Sequence, residues 1–255
     1  MSRHRPFLFF MILLLGGFSI PASADEIRVR LEPFPPLIQK DGGGPVVEML
    51  KELADSHDLN LDIRTVAYSR ARYQLRNGEA DLIGLVPLER ETPEFYSYAR
   101  ELDWRLPTRA DLFSLAPDRL DDDVWRKGRI GTPWGNAPFF SALTGVDKGQ
   151  FVESSLPSLV RMLRGGRIDS LLFARVSTMS TLARLDLEGI YYRNLFSIPA
   201  GLAVADSRAG RVLQQRLEPL LGDPRKQPRF ERYRDYIQLP DKGRVERVLS
   251  AQPDG

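Results

Sequence analysis

Leu75-Arg76-Asn77-Gly78-Glu79-Ala80-Asp81-Leu82-Ile83 returns later in the chain as Leu163-Arg164-Gly165-Gly166-Arg167-Ile168-Asp169-Ser170-Leu171, at an offset of 88 residues. Both copies read L-R-x-G-x-x-D and run into an apolar segment. The glycine supplies a left-handed stop for a helix, and the aspartate falls at the mouth of the strand that follows. The offset is far too long for a solenoid period, so the repetition points to two similar α/β lobes within one chain.

The flanking segments carry the same rhythm. Ile27–Glu32 alternates as a strand, and Pro45–Asp58 places Val46, Val47, Leu50, Leu53 and Ala54 at the spacing of an amphipathic helix. Leu59–Val66 alternates again, Ser69 is placed to cap a short helix ending at Gly78, and Ala80–Val86 is mostly apolar, as a buried parallel strand is. A second series follows residue 117, with strands at Arg129–Thr132, Phe151–Glu153 and Ile168–Ala174 and helices at Pro138–Leu143 and Ser158–Leu163. Strand–helix alternation at this spacing implies parallel α/β units with right-handed crossovers.

The ends and the composition place the molecule. Met1–Pro6 is short and basic, Phe7–Ile20 is apolar, and Pro21-Ala22-Ser23-Ala24 has the small-residue pattern that signal peptidase reads, so residues 1–24 are expected to be a signal peptide. The apolar run is too short to span a bilayer, which needs roughly 20 residues. Loss of Arg3 and Arg5 leaves 34 Lys and Arg against 34 Asp and Glu. A neutral chain has no general attraction for nucleic acid, so none is expected as a partner. With no cysteine, the chain has no site for a lipoprotein anchor, a thiol nucleophile or a cysteine metal centre. Export without an anchor implies a periplasm.

The ordered set of motifs resembles the periplasmic solute-binding proteins of family 3, the amino-acid-type substrate-binding proteins of ABC importers. The matching pieces are Pro33-Phe34-Pro35-Pro36, Gly43-Gly44, Leu75-Arg76-x-Gly78-x-x-Asp81 and Thr92-Pro93-Glu94 with Phe95, Tyr96 and Tyr98. Gly128-Arg129-Ile130-Gly131 and Leu163-Arg164-Gly165-Gly166-x-x-Asp169 complete the set, which covers about residues 26–240. The resemblance implies an α/β clamp of the type II periplasmic-binding-protein fold, each lobe a mostly parallel sheet flanked by helices. Lobe 1 is expected to comprise 25–112 and 199–240, lobe 2 to comprise 113–198, and 241–255 to be a disordered tail. The helical stretches Arg208–Leu221 and Arg229–Leu239 are expected to pack on lobe 1. A ligand is expected in the cleft, at strand carboxyl ends and helix N-termini, trapped by closure about a hinge.

Candidate ligand contacts follow from the same alignment of pieces. Arg70, in Tyr68-Ser69-Arg70-Ala71, and Arg90, after the buried strand, are candidates to grip a carboxylate, because a guanidinium offers two parallel donors. Amino-acid binders usually have an aspartate after the second buried strand; here the residue is Arg175, and a cation there would repel an ammonium group and attract an anion. An organic acid, an acidic amino-acid derivative or a short peptide therefore fits as well as an α-amino acid. Trp134, Phe34 and Tyr68 are candidate stacking walls, Asn136 a loop contact or helix cap, and Glu32 an acceptor at the end of the first strand.

Catalysis has little to work with. His57 is the one histidine beyond the leader and sits where a helix ends. Asp121-Asp122-Asp123 lacks the spaced ligands of a calcium loop, and the glycines at 42–44 lack a following Gly-Lys-Ser/Thr, so neither metal nor cofactor is expected. The expected partners are a small-molecule ligand and an inner-membrane ABC permease, with the chain a monomer. The alternatives are a ligand-sensing subunit for a chemoreceptor or sensor kinase, and a periplasmic dehydratase on the same fold with a carboxylate such as Glu32 as acid or base.

Overall fold

The computed structural model describes residues 26–246. The expected signal peptide and the end of the expected tail lie outside the described residues. The chain begins with β1 (Ile27–Leu31), α1 (Pro45–Ser56), β2 (Leu61–Thr65), α2 (Tyr68–Arg76), β3 (Leu82–Pro87), α3 (Pro93–Tyr96) and β4 (Ala99–Glu101). It continues through β5 (Arg109–Ser114), α4 (Asp122–Trp125), β6 (Ile130–Pro133), α5 (Ala137–Thr144), β7 (Phe151–Ser154), α6 (Leu156–Arg164), β8 (Ser170–Ala174), α7 (Arg175–Arg184) and β9 (Tyr191–Ser197). The last elements are β10 (Ala200–Ala205), α8 (Arg208–Leu221), α9 (Glu231–Gln238) and β11 (Lys242–Arg244).

Two sheets result, in the orders β2-β1-β3-β10-β4 and β11-β9-β5-β8-β6-β7. Each holds a parallel three-strand unit, β2-β1-β3 in lobe 1 and β8-β6-β7 in lobe 2. The remaining ladders are antiparallel, so the sheets are mixed rather than mostly parallel. The reason is the hinge: two strands connecting the lobes run in opposite directions and pair with each other, through Leu106 with Ala200 and through β5 with β9. Helical periodicity builds the flanks. In α6, Leu156, Leu159, Val160 and Leu163 are buried on one stripe, and in α1 Val46, Val47, Leu50, Leu53 and Ala54 do the same.

The repeated motif is the same piece of structure twice. Leu75 and Leu163 are buried, and Gly78 and Gly166 hold φ of 69° and 66°, in the left-handed region that stops each helix. Asp81 accepts the backbone N–H of Arg28 at 2.8 Å, at the start of β1. Asp169 accepts that of Arg129 at 2.8 Å, just before β6. In both, the aspartate's own N–H returns to the arginine's carbonyl, so the motif ties a helix stop to the head of a neighbouring parallel strand.

The lobe limits differ from expectation in two places. The strand Arg109–Ser114 already pairs in the second sheet, so the first crossing precedes residue 109 rather than following 112. The C-terminal stretch crosses a third time. While α8 packs on β10 of lobe 1, α9 packs on α7 of lobe 2, and Lys242–Arg244 of the expected tail forms β11 beside β9. Among the described residues no helix is long and apolar enough to cross a membrane.

Candidate functional site

The cleft between the lobes is a narrow pocket, about 470 Å³ when the open solvent at its mouth is counted. Lobe 1 contributes Glu32, Phe34 and Leu85–Pro87, from the carboxyl ends of β1 and β3 and the loop after β1. The hinge contributes Thr108, Arg109, Ala110, Ile198 and Ala200, and lobe 2 contributes Asn136, Phe139, Phe140, Phe173 and Ala174. Ligands of open α/β sheets bind outside strand carboxyl ends for a topological reason, because the loops there diverge.

Two contacts join the lobes across this space, and a third lies beside it. The Asn136 side-chain amide donates to Glu32 Oε1 at 2.8 Å, with both residues buried. The rings of Phe34 and Phe173 meet at 5.5 Å between centroids. Gly135, at φ 88°, lies so close to the start of α2 that an added Cβ would come within 2.6 Å of Ser69 N. Burial among apolar walls pushes the Glu32 carboxyl up to about 8, and the Asn136 amide only partly offsets this.

The groups that would attract an anion are engaged elsewhere. At the start of α5, Glu153 Oε1 accepts from Gly135 N at 2.7 Å and from Ala137 N at 3.1 Å, so the loop amides serve the protein itself. Arg109 is ion-paired with Asp241. The first turn of α7, at Arg175–Ser177, is fully buried.

Of the residues singled out from sequence, Glu32, Phe34 and Asn136 line the cleft together. Arg175 does not. Its side chain is 0% exposed and donates from Nε to Asp111 Oδ2 at 2.5 Å, and from Nη1 to the carbonyl of Leu239 at 2.8 Å. The guanidinium also lies over the Tyr192 ring. It therefore joins α7 and β5 to the C-terminal end of α9, and the anion preference drawn from it loses its basis. Arg90 is exposed in the turn after β3 and lies outside the cleft, because that turn directs the chain toward α3. Arg70 is exposed on α2, 3.7 Å from Glu79 and over the Tyr73 ring. Tyr68 is buried in a second lobe-1 cluster, its hydroxyl donating to Glu91 Oε1 at 2.5 Å. Trp134 is 54% exposed and borders a separate surface groove with Arg72, Tyr73 and Arg76.

Sequence reading missed Phe139, Phe140, Phe173, Leu85 and Val86 as cleft walls, and Arg109 at the hinge. A signal existed for some of them. Phe173 is next to last in the buried strand of the second repeat, and Phe139-Phe140 follow Asn136 by about one helical turn.

No family model matches the chain, and no curated protein matches it in sequence. Solved structures do match in fold. A histidine kinase sensor domain described as similar to periplasmic binding proteins aligns at a TM-score of 0.66 and 19% identity, over 87% of this chain and 98% of that one. The arginine-bound form of a truncated arginine-binding protein, ArgBP from T. maritima, aligns at 0.63 and 17% identity, over 77% and 94%. The VFT2 domain of Bordetella pertussis BvgS aligns at 0.57 and 18% identity, over 77% and 86%. The chain thus has the two-lobed α/β fold of periplasmic binding proteins.

Proposed function

We propose that this chain is a periplasmic ligand-capture protein that holds one small molecule between its lobes and delivers it to an inner-membrane ABC importer. The observation that carries this reading is the cleft itself. Its walls come from both lobes and the hinge, and the direct lobe-to-lobe contacts, Glu32 with Asn136 and Phe34 with Phe173, lie within it. Contacts that exist only when the lobes are together make closure and site formation one event, and a ligand that bridges both walls biases that equilibrium. The leader at residues 1–24 supports a periplasmic place, and the arginine-bound ArgBP structure supports a small polar ligand.

The chain carries no cysteine, which makes closure straightforward to measure. Dyes on Lys51→Cys in lobe 1 and Arg161→Cys in lobe 2, both exposed, are expected to report a single short distance in the presence of a ligand found by thermal-shift screening. A distance distribution that no member of a broad metabolite panel changes, with no rise in Tm, overturns the reading.

A sensory role for the same clamp is favoured by one observation, the match to a kinase sensor domain over 98% of that domain's length. Co-purification with a permease supports delivery, and co-purification with a receptor or kinase supports sensing. The dehydratase alternative predicts turnover of prephenate, and intact ligand binding without turnover removes it.

A further inference from the structure

This inference rests on the ligand-capture reading and concerns the chemistry of what is captured. The cleft has one carboxyl group, Glu32, and its four aromatic rings, Phe34, Phe139, Phe140 and Phe173, belong to both lobes. Among the described residues Asn136 is the hydrogen-bond partner of that carboxyl, and the bond is made to Oε1. Oε2 is left for a donor entering from the cleft.

The cationic groups and loop amides that would suit a ligand carboxylate are engaged within the protein, which leaves the Thr108 hydroxyl. Arg109 is paired with Asp241, the Gly135 and Ala137 amides are held by Glu153, and Arg175 is sealed against Asp111. A negatively charged ligand would meet a buried carboxyl and largely apolar walls, with only the Thr108 hydroxyl and the already paired Arg109 to offset its desolvation. A positively charged one meets an acid to pair with and ring faces to lie against.

We infer that the cleft selects an organic ammonium ion on an aromatic or branched apolar body, without a carboxylate, its ammonium group set on the Glu32 carboxylate. The groups nearest Glu32 leave this pairing open. From lobe 2 it faces the neutral Asn136 amide; from the hinge the nearest charge is Arg109, held by Asp241; from α2 the titratable neighbour is Tyr68, whose hydroxyl is bound to Glu91. Burial keeps the empty site's carboxyl protonated near neutrality. An amine remains protonated there, since its pKa is near 10.4. Binding therefore ionises Glu32 and releases its proton to the buffer, while the ammonium keeps its own.

Calorimetric titration of the purified protein with phenethylamine, isoamylamine, hydrocinnamate and phenylalanine tests this. At least one of the two amines is expected to bind, with nearly one proton released per ligand at roughly pH 6.5 and affinity rising up to about tenfold per pH unit below the Glu32 pKa. Hydrocinnamate and phenylalanine are expected to bind at least tenfold more weakly. Glu32→Gln keeps a partner for Asn136 and is expected to lower amine affinity tenfold or more and to abolish proton release. Amine binding that Glu32→Gln leaves unchanged, or preference for hydrocinnamate, overturns the inference. If neither amine binds but another metabolite closes the lobes, the ammonium class falls and ligand capture stands; if nothing binds, both fall.

Discussion

The two lobes begin from one design and end with different cleft faces. Both use the L-R-x-G-x-x-D stop to dock an aspartate on the backbone at the head of a parallel strand, Asp81 on Arg28 and Asp169 on Arg129. Beyond that point they diverge. Lobe 1 presents a buried acid, Glu32, at its strand end, whereas lobe 2 presents an amide, Asn136, and three phenylalanines. The charge that lobe 2 carries after its second buried strand is turned inward as the Arg175–Asp111 pair. Scaffold and site thus answer to different parts of the sequence: the motif anchors where each strand begins, and the few residues past its far end set what the cleft can hold.

The largest expected break between the lobes is at their ion pairs. Asp111→Ala strands a fully buried guanidinium and is expected to cost about 3–5 kcal/mol. The lobe-1 pair Arg30–Asp62 is more open, at 7% and 18% exposed, and Asp62→Ala is expected to cost about 1 kcal/mol. Denaturant midpoints of the two variants compare them directly, and equal losses would mean that complete burial adds nothing to the lobe-2 pair.

The repeat offers a closer comparison. Asp81 holds the Arg28 amide and two guanidinium nitrogens of the same arginine at 2.8–2.9 Å, while Asp169 holds one amide and two looser arginines, Arg119 at 3.2 Å and Arg129 at 3.6 Å. Asp81→Ala is therefore expected to cost about 2 kcal/mol and Asp169→Ala about 1 kcal/mol, after allowance for partial exposure. The reverse order in thermal unfolding would show that lobe 2 depends more on its motif.

A pH series isolates the cleft. The Glu32 pKa is raised in the folded state to about 8, so the folded state holds a proton that the unfolded chain has lost at intermediate pH. The associated stability is complete below the unfolded value, declines as pH rises toward 8 and is gone above it. The slope is at most about 1.4 kcal/mol per pH unit, and Glu32→Gln is expected to remove it from the wild-type profile. A variant with an unchanged slope between those limits would place the titration elsewhere.

The smallest stability effects come from two glycines of lobe 2. Gly135→Ala and Gly145→Ala each force a side chain into left-handed backbone and are expected to cost about 1 kcal/mol. Only Gly135 faces the other lobe; a Cβ at Gly145 meets nothing within 4 Å. Solution scattering should therefore show a wider molecule for Gly135→Ala alone. Equal dimensions would mean that the loop yields rather than the lobes.

Legibility followed the range of the interactions. The strands and helices flanking the two repeats, and the repeat itself, were readable because periodicity and helix stops are local, whereas a return near residue 199 was implied only by the family resemblance. Glu32, Phe34 and Asn136 were readable because each follows a strand end or precedes a helix. The C-terminal stretch was not. Lys242–Arg244 has the composition of a frayed end, and it becomes a strand only because β9 leaves an edge for it. The arginines were equally opaque, since composition alone does not give the direction of a side chain.

By itself the sequence determined the two α/β lobes, the helix stops at Gly78 and Gly166 and the strand ends at which a cleft must open, because these depend on residues within one or two turns of each other. Only the tertiary structure decided which charges that cleft shows. Arg175 meets Asp111 from 64 residues away, Arg109 meets Asp241 from 132, and Asn136 meets Glu32 from 104. A buried charge goes where its partner is, and that partner is brought near by the fold rather than by its neighbours in the chain.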